Sequence, residues 1–257
     1  MHANIFEQIA DGIKDHETFV VATVVGTTGS SPAKTSFRLM VKSDGTSHGT
    51  VGGGALENEV IKKAMTIMGQ ESSFIESFSL ESDLHMACGG NVTVLLESFS
   101  PSVLHIFGAG HVCQALIRVV QNAGFTVIVY DDREEFRYIG EKFNVKFVHG
   151  DMATSASRIK GGKNAYALVT TYDHLHDEAV GMALVDKDLG FLGIIGSSRK
   201  SVKYRNNFLQ AGVAKEKVDS IICPVGLPIG GSTPGEIAVS IASQLIAVRS
   251  GKISNFK

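Results

Sequence analysis

The chain has 257 residues, 44% of them hydrophobic, and its 24 basic and 26 acidic residues give a net charge of −2. A chain of this size can bury a substantial core in one or two domains. It has no polybasic stretch suited to nucleic acid, and its apolar runs are too short to insert into a membrane. The three cysteines, Cys88, Cys113 and Cys223, are odd in number and far apart, which excludes a disulfide framework and favours a reducing, cytoplasmic setting.

The first hundred residues show helix and strand patterns in no repeating order. The apolar spacing predicts helices at 5–13 and 56–68 and strands at 19–25, 37–41, 74–80 and 91–97, with a hairpin turn at 43–46. Leu56, Val60, Ala64 and Ile67 share one face of the second helix. We therefore expect an α+β domain over residues 1–99, followed by a linker around 98–102 that contains Pro101.

A glycine-rich turn follows the linker. An apolar run at 103–107 ends in Gly108-Ala-Gly110, and a helical stretch at 112–123 leads to a second apolar run at 126–130 that ends at Asp131. This order is typical of the first β-α-β unit of a dinucleotide-binding fold, in which the glycines admit a pyrophosphate and the acid binds a ribose. Cys113 replaces the third glycine and is small enough for close helix packing. The alternative is a glycine turn that binds nothing.

Regular β-α units fill residues 100–257. Strands are predicted at 103–107, 126–130, 145–149, 165–170, 191–195 and 220–223, which implies an α/β, Rossmann-like, doubly wound parallel sheet. Ligands of such sheets bind at the carboxyl ends of the strands. We expect a binding rim there, built from residues 108–111, 131–133, 170–177, 196–200 and 224–231.

Two helix starts on this rim are candidate anion sites. Thr233-Pro-Gly-Glu236 has the pattern of a capping box beside Gly230 and Gly231, and free amides at such a start favour an anion. Ser197 and Arg199 offer a hydroxyl and a cation that suit phosphate or a phosphorylated pterin. The alternatives are a plain capped helix and a solvated polar loop.

A histidine pair lies in Asp173-His174-Leu-His176-Asp177. His174 and His176 at the rim of a cleft can donate hydrogen bonds to a ligand or act as acid–base groups. The pattern partly resembles a metal-binding one, but no complete ligand set is present and we predict no metal. In a third interpretation Asp177 caps the following helix.

Cys88 is followed by Gly89-Gly90, whose bare backbone lets its thiol approach a flat ligand or a soft metal centre. A thiolate suits soft metals, sulfur transfer and covalent attack. The alternative is a small buried cysteine before a turn.

Five segments together resemble the XdhC/CoxI family of xanthine dehydrogenase accessory proteins. They are GTTGSSP at 26–32, GTVGGGALE at 49–57, MACGG at 86–90, FGAGH at 107–111 and the glycine-rich stretch 224–236. The resemblance implies a maturation factor that binds molybdenum cofactor (molybdopterin) transiently, aids its sulfuration with a cysteine desulfurase and inserts it into an apo molybdenum hydroxylase.

The resemblance also assigns roles to residues of both halves. It implies that Cys88 is a cofactor-binding or sulfur-relay thiol, and that the ligand site is lined by Ser30, Ser31, Gly52, Gly53, Gly54 and Glu57. In the nucleotide half, the candidate cofactor contacts are Gly108, Gly110, His111, Asp131, Arg133, Ser197, Arg199, Gly230 and Gly231.

Two other functions remain open at this point. An NAD(P)-dependent oxidoreductase would use Asp131 for a free ribose hydroxyl, or Arg133 for a 2′-phosphate, and a histidine to polarise the substrate. A protein–protein adaptor would keep the glycine loops packed shut. A homodimer is the expected oligomeric state.

Overall fold

The computed structural model describes residues 2–70, 73–82 and 89–252, which divide into two units, Met1–Pro101 and Ser102–Lys257. Cys88 and its neighbours 83–87 lie outside the described residues. Among the helices that are described, none combines the length and the apolar character needed to cross a lipid bilayer.

The first unit is an antiparallel sheet with one helix on each face. Its strands have the order β3-β2-β1-β5-β4. The elements are α1 (His2–Lys14), β1 (Phe19–Thr28), β2 (Arg38–Lys42), β3 (Ser47–Gly49), α2 (Gly54–Ile67), β4 (Ser73–Ser79) and β5 (Asn91–Phe99). The predicted α+β organisation is confirmed, although β3 was missed because three exposed residues carry no alternating pattern.

Alternation along β1 explains why both faces of this sheet are covered. Val20, Ala22 and Val24 point to one side and join the core under α2, whereas Phe19 and Val21 point to the other side, which α1 covers. The apolar stripe predicted for α2 is confirmed, because the four residues named above are its buried residues.

The connection between the units is shorter than the predicted linker. Strand β5 continues to Phe99, which pairs with Phe19 and stacks on its ring at a centroid distance of 5.0 Å. Only Ser100 and Pro101 separate β5 from the next strand. Strand β5, with this aromatic pair at its end, thus extends to Phe99, into the segment 98–102 that the sequence predicts to be a linker.

The second unit is a five-stranded parallel sheet with the order β10-β9-β6-β7-β8. Its strands are β6 (Ser102–Phe107), β7 (Phe125–Asp131), β8 (Lys146–His149), β9 (Gly162–Val169) and β10 (Leu189–Ile194). Its helices are α3 (His111–Asn122), α4 (Tyr138–Phe143), α5 (Met152–Arg158), α6 (His174–Leu184), α7 (Ser198–Gln210), α8 (Lys215–Ser220) and α9 (Pro234–Arg249). The predicted fold class, a doubly wound α/β sheet, is confirmed.

Helices cover both faces of the parallel sheet. Helices α3, α4 and α9 share one apolar core with the sheet, and α5, α6, α7 and α8 share the other. The central strand is β6, so the chain reverses its direction of winding there. This reversal places the loop after β6 at the site where open α/β sheets bind their ligands.

The sixth strand predicted at 220–223 is wrong. Ser220 ends helix α8, and the strand is reduced to a single parallel bridge between Ile222 and Gly193 of β10. Pro224 has no backbone N–H with which to extend the ladder, and the next hydrogen bond runs from Val225 N–H to the carbonyl of Ile194.

Candidate functional site

The glycine turn after β6 combines one closed and one open position. Gly108 has φ +107°, and a Cβ there would collide with the carbonyl oxygen of Thr170, so this position requires glycine. At Gly110, by contrast, a Cβ would meet no atom of the described chain within 4 Å. Gly110 is the N-cap of α3 and provides no side-chain cap, so the first amides of that helix are available to an anion. His111, the first residue of α3, is exposed beside them.

The acid predicted to hold a ribose, Asp131, is fully buried and has four hydrogen bonds. Its carboxylate accepts from Ala109 N–H at 2.7 Å, from Arg133 N–H at 3.0 Å, and from Arg133 Nε and Nη2 at 2.9 and 2.8 Å. Burial raises the pKa of Asp131, but the hydrogen bonds from Arg133 and Ala109 outweigh it, so the pKa lies below its ordinary value. A ribose hydroxyl would have to displace one of these donors.

Arg133 is held on three sides. Besides its bidentate pair with Asp131, its guanidinium lies over the rings of Phe136 and Tyr172, at 4.3 and 4.6 Å from their centroids. The hydrogen bond to Asp131 has the largest effect on the pKa of Arg133 and raises it, whereas burial has a smaller, opposite effect. The cation is therefore fixed in place and locally neutralised.

A chain of hydrogen bonds links the carboxyl ends of β7 and β9. The Tyr172 hydroxyl donates to Asp132 Oδ2 at 3.0 Å and lies 2.8 Å from His176 Nε2. His176 Nδ1 lies 2.8 Å from Asp173 Oδ2. The two carboxylates can only accept hydrogen bonds. With a proton on each ring nitrogen, His176 donates to Asp173 and to the oxygen of Tyr172, and Tyr172 in turn donates to Asp132. The two predicted histidines therefore have different surroundings. His176 takes part in this series of hydrogen bonds, whereas His174 is exposed on the first turn of α6.

The two acids at the start of α6 have different tasks from those expected. Asp173, not Asp177, is the N-cap, and it accepts from Leu175 N–H and His176 N–H. These bonds, with the ring of His176, lower the pKa of Asp173 to about 2. Asp177 is buried and accepts from Thr171 and from the hydroxyl of Tyr204. Capping by Asp177 is thus wrong, since its side chain points into the core and not back to the helix start.

The side chain of Ser197 caps the start of helix α7. The Ser197 hydroxyl accepts from Lys200 N–H at 3.3 Å, and Arg199 is exposed in the first turn of α7. A phosphate contact at these residues remains a prediction.

The predicted capping box at α9 is confirmed. Thr233 accepts from Glu236 N–H, and the Glu236 carboxylate accepts from Thr233 N–H at 2.9 Å and Ser232 N–H at 3.0 Å. These hydrogen bonds lower the pKa of Glu236, and the bond from Thr233 N–H has the largest effect. Glu236 therefore supplies negative charge at this helix start, beside Gly230 and Gly231. A neighbouring cleft of about 510 Å³ is lined by both glycines and by Cys223, Arg205 and Gln244, among others.

In the first unit, the glycine-rich loops converge at one end of the sheet. A Cβ on Gly52 would lie 3.0 Å from the backbone nitrogen of Ala33, and one on Gly90 would collide with the carbonyl of Ser30. The Ser31 hydroxyl accepts from Ala33 N–H at 3.1 Å in the same loop. The predicted segment 49–57 thus lies against Ala33, directly after segment 26–32, and Gly90 lies against Ser30 within that segment.

Glu57 organises the second of these loops. Its Oε2 accepts from the Thr50 hydroxyl at 2.7 Å and from Gly53 N–H at 3.1 Å. Gly53 is the N-cap of α2 without a side-chain cap, and a Cβ on Gly53 or Gly54 would meet no described atom within 4 Å. The carboxylate of Glu57 therefore ties the loop to α2 while the two glycines leave open space in front of it.

The two cysteines that the structure describes have different surroundings. Cys113 is fully buried on α3 in the core against the sheet, and burial raises the pKa of its thiol, so it serves packing. Cys223 is half-buried, and burial raises the pKa of its thiol as well.

Sequence reasoning singled out neither Asp132 nor Tyr172, although both lie in rim segments that it named. Their role depends on the meeting of two loops that are 40 residues apart in the chain. The only signal in the sequence is that both loops directly follow apolar strands of the same sheet.

The strand order, the glycine turn after the first strand and the buried acid after the second define a protein with a dinucleotide-binding fold of the Rossmann type. Residues 104–245 match the XdhC Rossmann domain, and residues 13–79 match the XdhC and CoxI family. The first match spans more than half of the chain. The chain therefore belongs to the XdhC and CoxI family, and the resemblance drawn from its motifs is confirmed.

Individual relatives agree with this assignment. The chain is 26% identical over 255 residues to YqeB of Escherichia coli K12, covering 96% of this chain and 46% of YqeB. It is 29% identical over 152 residues to a probable xanthine dehydrogenase subunit of Bacillus subtilis 168, covering 57% of this chain and 42% of that protein. The chain thus spans less than half the length of the curated relatives it matches.

A solved structure has the same fold along nearly the whole chain. It is a crystal structure described as a xanthine dehydrogenase from Bacillus halodurans, with a TM-score of 0.53, 20% identity and coverage of 96% of each chain. At this identity the likeness establishes the fold alone.

Proposed function

We propose that this chain is an accessory protein of a molybdenum hydroxylase of the xanthine dehydrogenase type. In this role it binds the molybdenum cofactor, aids its sulfuration with a cysteine desulfurase and delivers it to the apo-hydroxylase. Membership of the XdhC and CoxI family supports the accessory role. The kinship with a Bacillus subtilis protein named for xanthine dehydrogenase supports the choice of partner.

The observation that carries cofactor binding is the open, uncapped start of α3. The molybdenum cofactor is a pterin that bears a phosphate, or a pyrophosphate in its dinucleotide forms. Gly110 leaves the space in front of the first amides of α3 free, and Gly108 holds the turn tightly against the loop after β9. Backbone amides at a helix start, with the helix dipole behind them, bind such groups.

The residues of this chain would bind and orient the cofactor rather than transform it. The start of α3 would hold the phosphate, with His111 beside it. In the loops of the first unit that carry Ser30, Ser31, Gly52 and Glu57, the neighbouring Gly53 and Gly54 would present open backbone to a ligand. When bound, the cofactor supplies the molybdenum centre that the hydroxylase uses. Cys88, outside the described residues, is the proposed thiol for cofactor binding or sulfur relay.

The proposed cellular location follows from the same function. A carrier that meets a desulfurase and an apo-hydroxylase works in the cytoplasm, where both partners mature. A homodimer is the proposed assembly, because two-fold symmetric dimers are the commonest soluble oligomers.

An NAD(P)-dependent oxidoreductase is the second candidate, and one observation favours it. Tyr172, His176 and Asp173 form a hydrogen-bonded series in which each heavy-atom pair lies 2.8 Å apart. Such a series can move a proton at the Tyr172 hydroxyl. Hydride-transfer assays with NADH and NADPH test this function.

Copurification tests the accessory function. The protein is isolated from cells grown with ample molybdate, and the bound pterin is oxidised to its fluorescent product and counted per chain. We expect pterin with the wild type and a loss of about tenfold in Gly110→Ala, because a methyl group enters the phosphate space and a tenfold loss needs only about 1.4 kcal/mol. Wild-type protein free of pterin overturns the proposal.

Two further variants make the result specific. Gly235→Ala adds the same methyl group at the start of α9, where Glu236 already occupies the amides of Ser232 and Thr233, and it should keep its pterin. Cys88→Ala should lose most of the pterin while its melting temperature stays unchanged. Full retention in Cys88→Ala refutes the role of the thiol but leaves that of α3.

A further inference from the structure

A cleft lies between helix α9 and the loop that follows α8, apart from the glycine turn after β6. Its volume is about 510 Å³, and small-molecule sites commonly measure about 300–1,000 Å³. Ile222, Val225, Leu227 and Ile237 give it apolar walls. The cleft can therefore enclose much of a small ring system.

The loop that forms one wall of this cleft is pinned to α9. The Ser240 hydroxyl donates to the carbonyl of Leu227 at 2.6 Å, and Leu227 N–H donates to the carbonyl of Ser240 at 3.2 Å. Gly226 has φ +103°, and a Cβ there would collide with the Ser240 hydroxyl. The cleft is thus preformed, so a ligand that enters it does not have to order the loop.

Gln244 on α9 brings a buried amide to the cleft, which it lines. Its side chain is 1% exposed, and its Oε1 accepts from Gly226 N–H at 2.8 Å. Because a backbone N–H can only donate, this bond identifies the oxygen of the amide and leaves Nε2 as the free end. No acceptor among the described residues reaches Nε2. A buried donor without an acceptor is costly, so a ligand that brings a carbonyl oxygen to Gln244 is stabilised.

The charges that line the cleft are already compensated. Among the described lining residues, only Arg205 and Asp219 carry charge, and Arg205 Nη1 donates to Asp219 Oδ1 at 2.6 Å. The second oxygen of Asp219 accepts from Lys215, also at 2.6 Å. An ionic ligand would have to compete with these partners, and the cleft therefore favours a neutral one.

We propose that this cleft binds the ring system of a pterin and that Gln244 donates through Nε2 to the ring carbonyl. A pterin has two fused planar rings that suit apolar walls, it is mostly neutral at neutral pH, and its carbonyl supplies the acceptor that Gln244 lacks. The inference rests on the proposed function. It names the site on this chain for the ring, whereas the start of α3 takes the phosphate.

Two ring systems that differ in one group test the hydrogen bond. Pterin has a carbonyl where 2,4-diaminopteridine has an amino group, and their affinities are measured by calorimetry on the intact protein. We expect the wild type to prefer pterin by about tenfold. Gln244→Glu should lose this preference, because its carboxylate still accepts from Gly226 but cannot donate. Gln210→Glu makes the same change at the exposed end of α7 and should behave as the wild type.

The thiol of Cys223 reports on occupancy of the cleft without any substitution. Cys223 lines the same cleft and is half-buried, so bound pterin should shield it. Alkylation of the wild type by iodoacetamide is followed for each cysteine by peptide mass spectrometry. We expect excess pterin to slow the alkylation of Cys223 about tenfold and 2,4-diaminopteridine to slow it much less. Cys113 is fully buried, and its protection confirms that the protein stays folded.

The outcomes separate this inference from the function on which it rests. Unchanged alkylation of Cys223 in excess pterin, equal protection by the two pteridines, or an unchanged preference in folded Gln244→Glu each overturns the assignment. Stronger protection by nicotinamide than by pterin overturns it as well. If Gln244→Glu does not fold, protection of the wild type decides alone. Pterin that copurifies with the wild type while Cys223 stays unprotected refutes the cleft and leaves the accessory function, which Gly110→Ala tests independently.

Discussion

The buried histidine of the central strand makes the stability of the second unit depend on pH. His105 on β6 is 8% exposed, and its Nδ1 lies 2.8 Å from the hydroxyl of Tyr130. Burial, together with the nearby charge of Lys146, lowers the pKa of His105 from 6.5 to about 4. The unfolded chain therefore takes up a proton near pH 6.5 that the folded chain takes up only near pH 4.

The direction and size of the effect follow from this difference. Between pH 6.5 and 4 the unfolded state binds more protons, so stability falls as the pH falls through this window and levels off below it. A tenfold change in proton affinity corresponds to about 1.4 kcal/mol, so the lowering of the pKa corresponds to about 3 kcal/mol of lost stability. The carboxylate of Asp131, whose pKa is lowered, loses its contribution only below the ordinary aspartate range.

Urea unfolding followed by circular dichroism measures this effect at pH 7, 6, 5 and 4. We expect the free energy of unfolding of the wild type to fall by about 3 kcal/mol more than that of His105→Gln, which keeps a polar partner for Tyr130 but cannot take up the proton. His48→Gln removes an exposed histidine on β3 and should follow the wild type. Parallel pH profiles for the wild type and His105→Gln would refute the assignment.

Four substitutions test the packing of the nucleotide-binding unit by urea unfolding. Gly108→Ala should cost about 3 kcal/mol or more, because its φ is strained for alanine and its Cβ overlaps a carbonyl oxygen, whereas Gly110→Ala should cost less than about 1 kcal/mol. Thr233→Ala should cost about 1 kcal/mol by removing the cap of α9, and an unchanged midpoint would contradict that role. Tyr204→Phe should cost about 1–2 kcal/mol because buried Asp177 loses a donor, and a neutral result would mean that Asp177 finds another.

Local patterns were sufficient for much of the fold. The stripe on α2, the capping box of α9 and the glycine turn after β6 each depend on residues within a few positions of one another. Their physical causes, helical periodicity, reciprocal capping and the freedom of glycine, act over the same short range. The sixth strand failed because Ser220 belongs to helix α8, so that only Ile222 forms a bridge to β10.

The rim of the site shows where local reasoning ends. The spacing of Asp131 after the glycine turn correctly placed a carboxylate beside the loop. Spacing carries no information about which donors reach that carboxylate, and here Arg133 and Ala109 take all of its capacity. In the same way, Asp177 and Asp173 are both plausible caps in the sequence, and only the direction of each side chain distinguishes them.

The sequence by itself determined the class of fold, the family and the segments that form the rim, because periodicity, glycine turns and motif order are written along the chain. Only the tertiary structure decided that Asp131 is fully hydrogen-bonded, whereas Oδ1 of Asp132 has no donor among the described residues. The pairing of Tyr172 with Asp132 joins loops that are 40 residues apart, and whether a buried oxygen has a donor depends on such meetings in space.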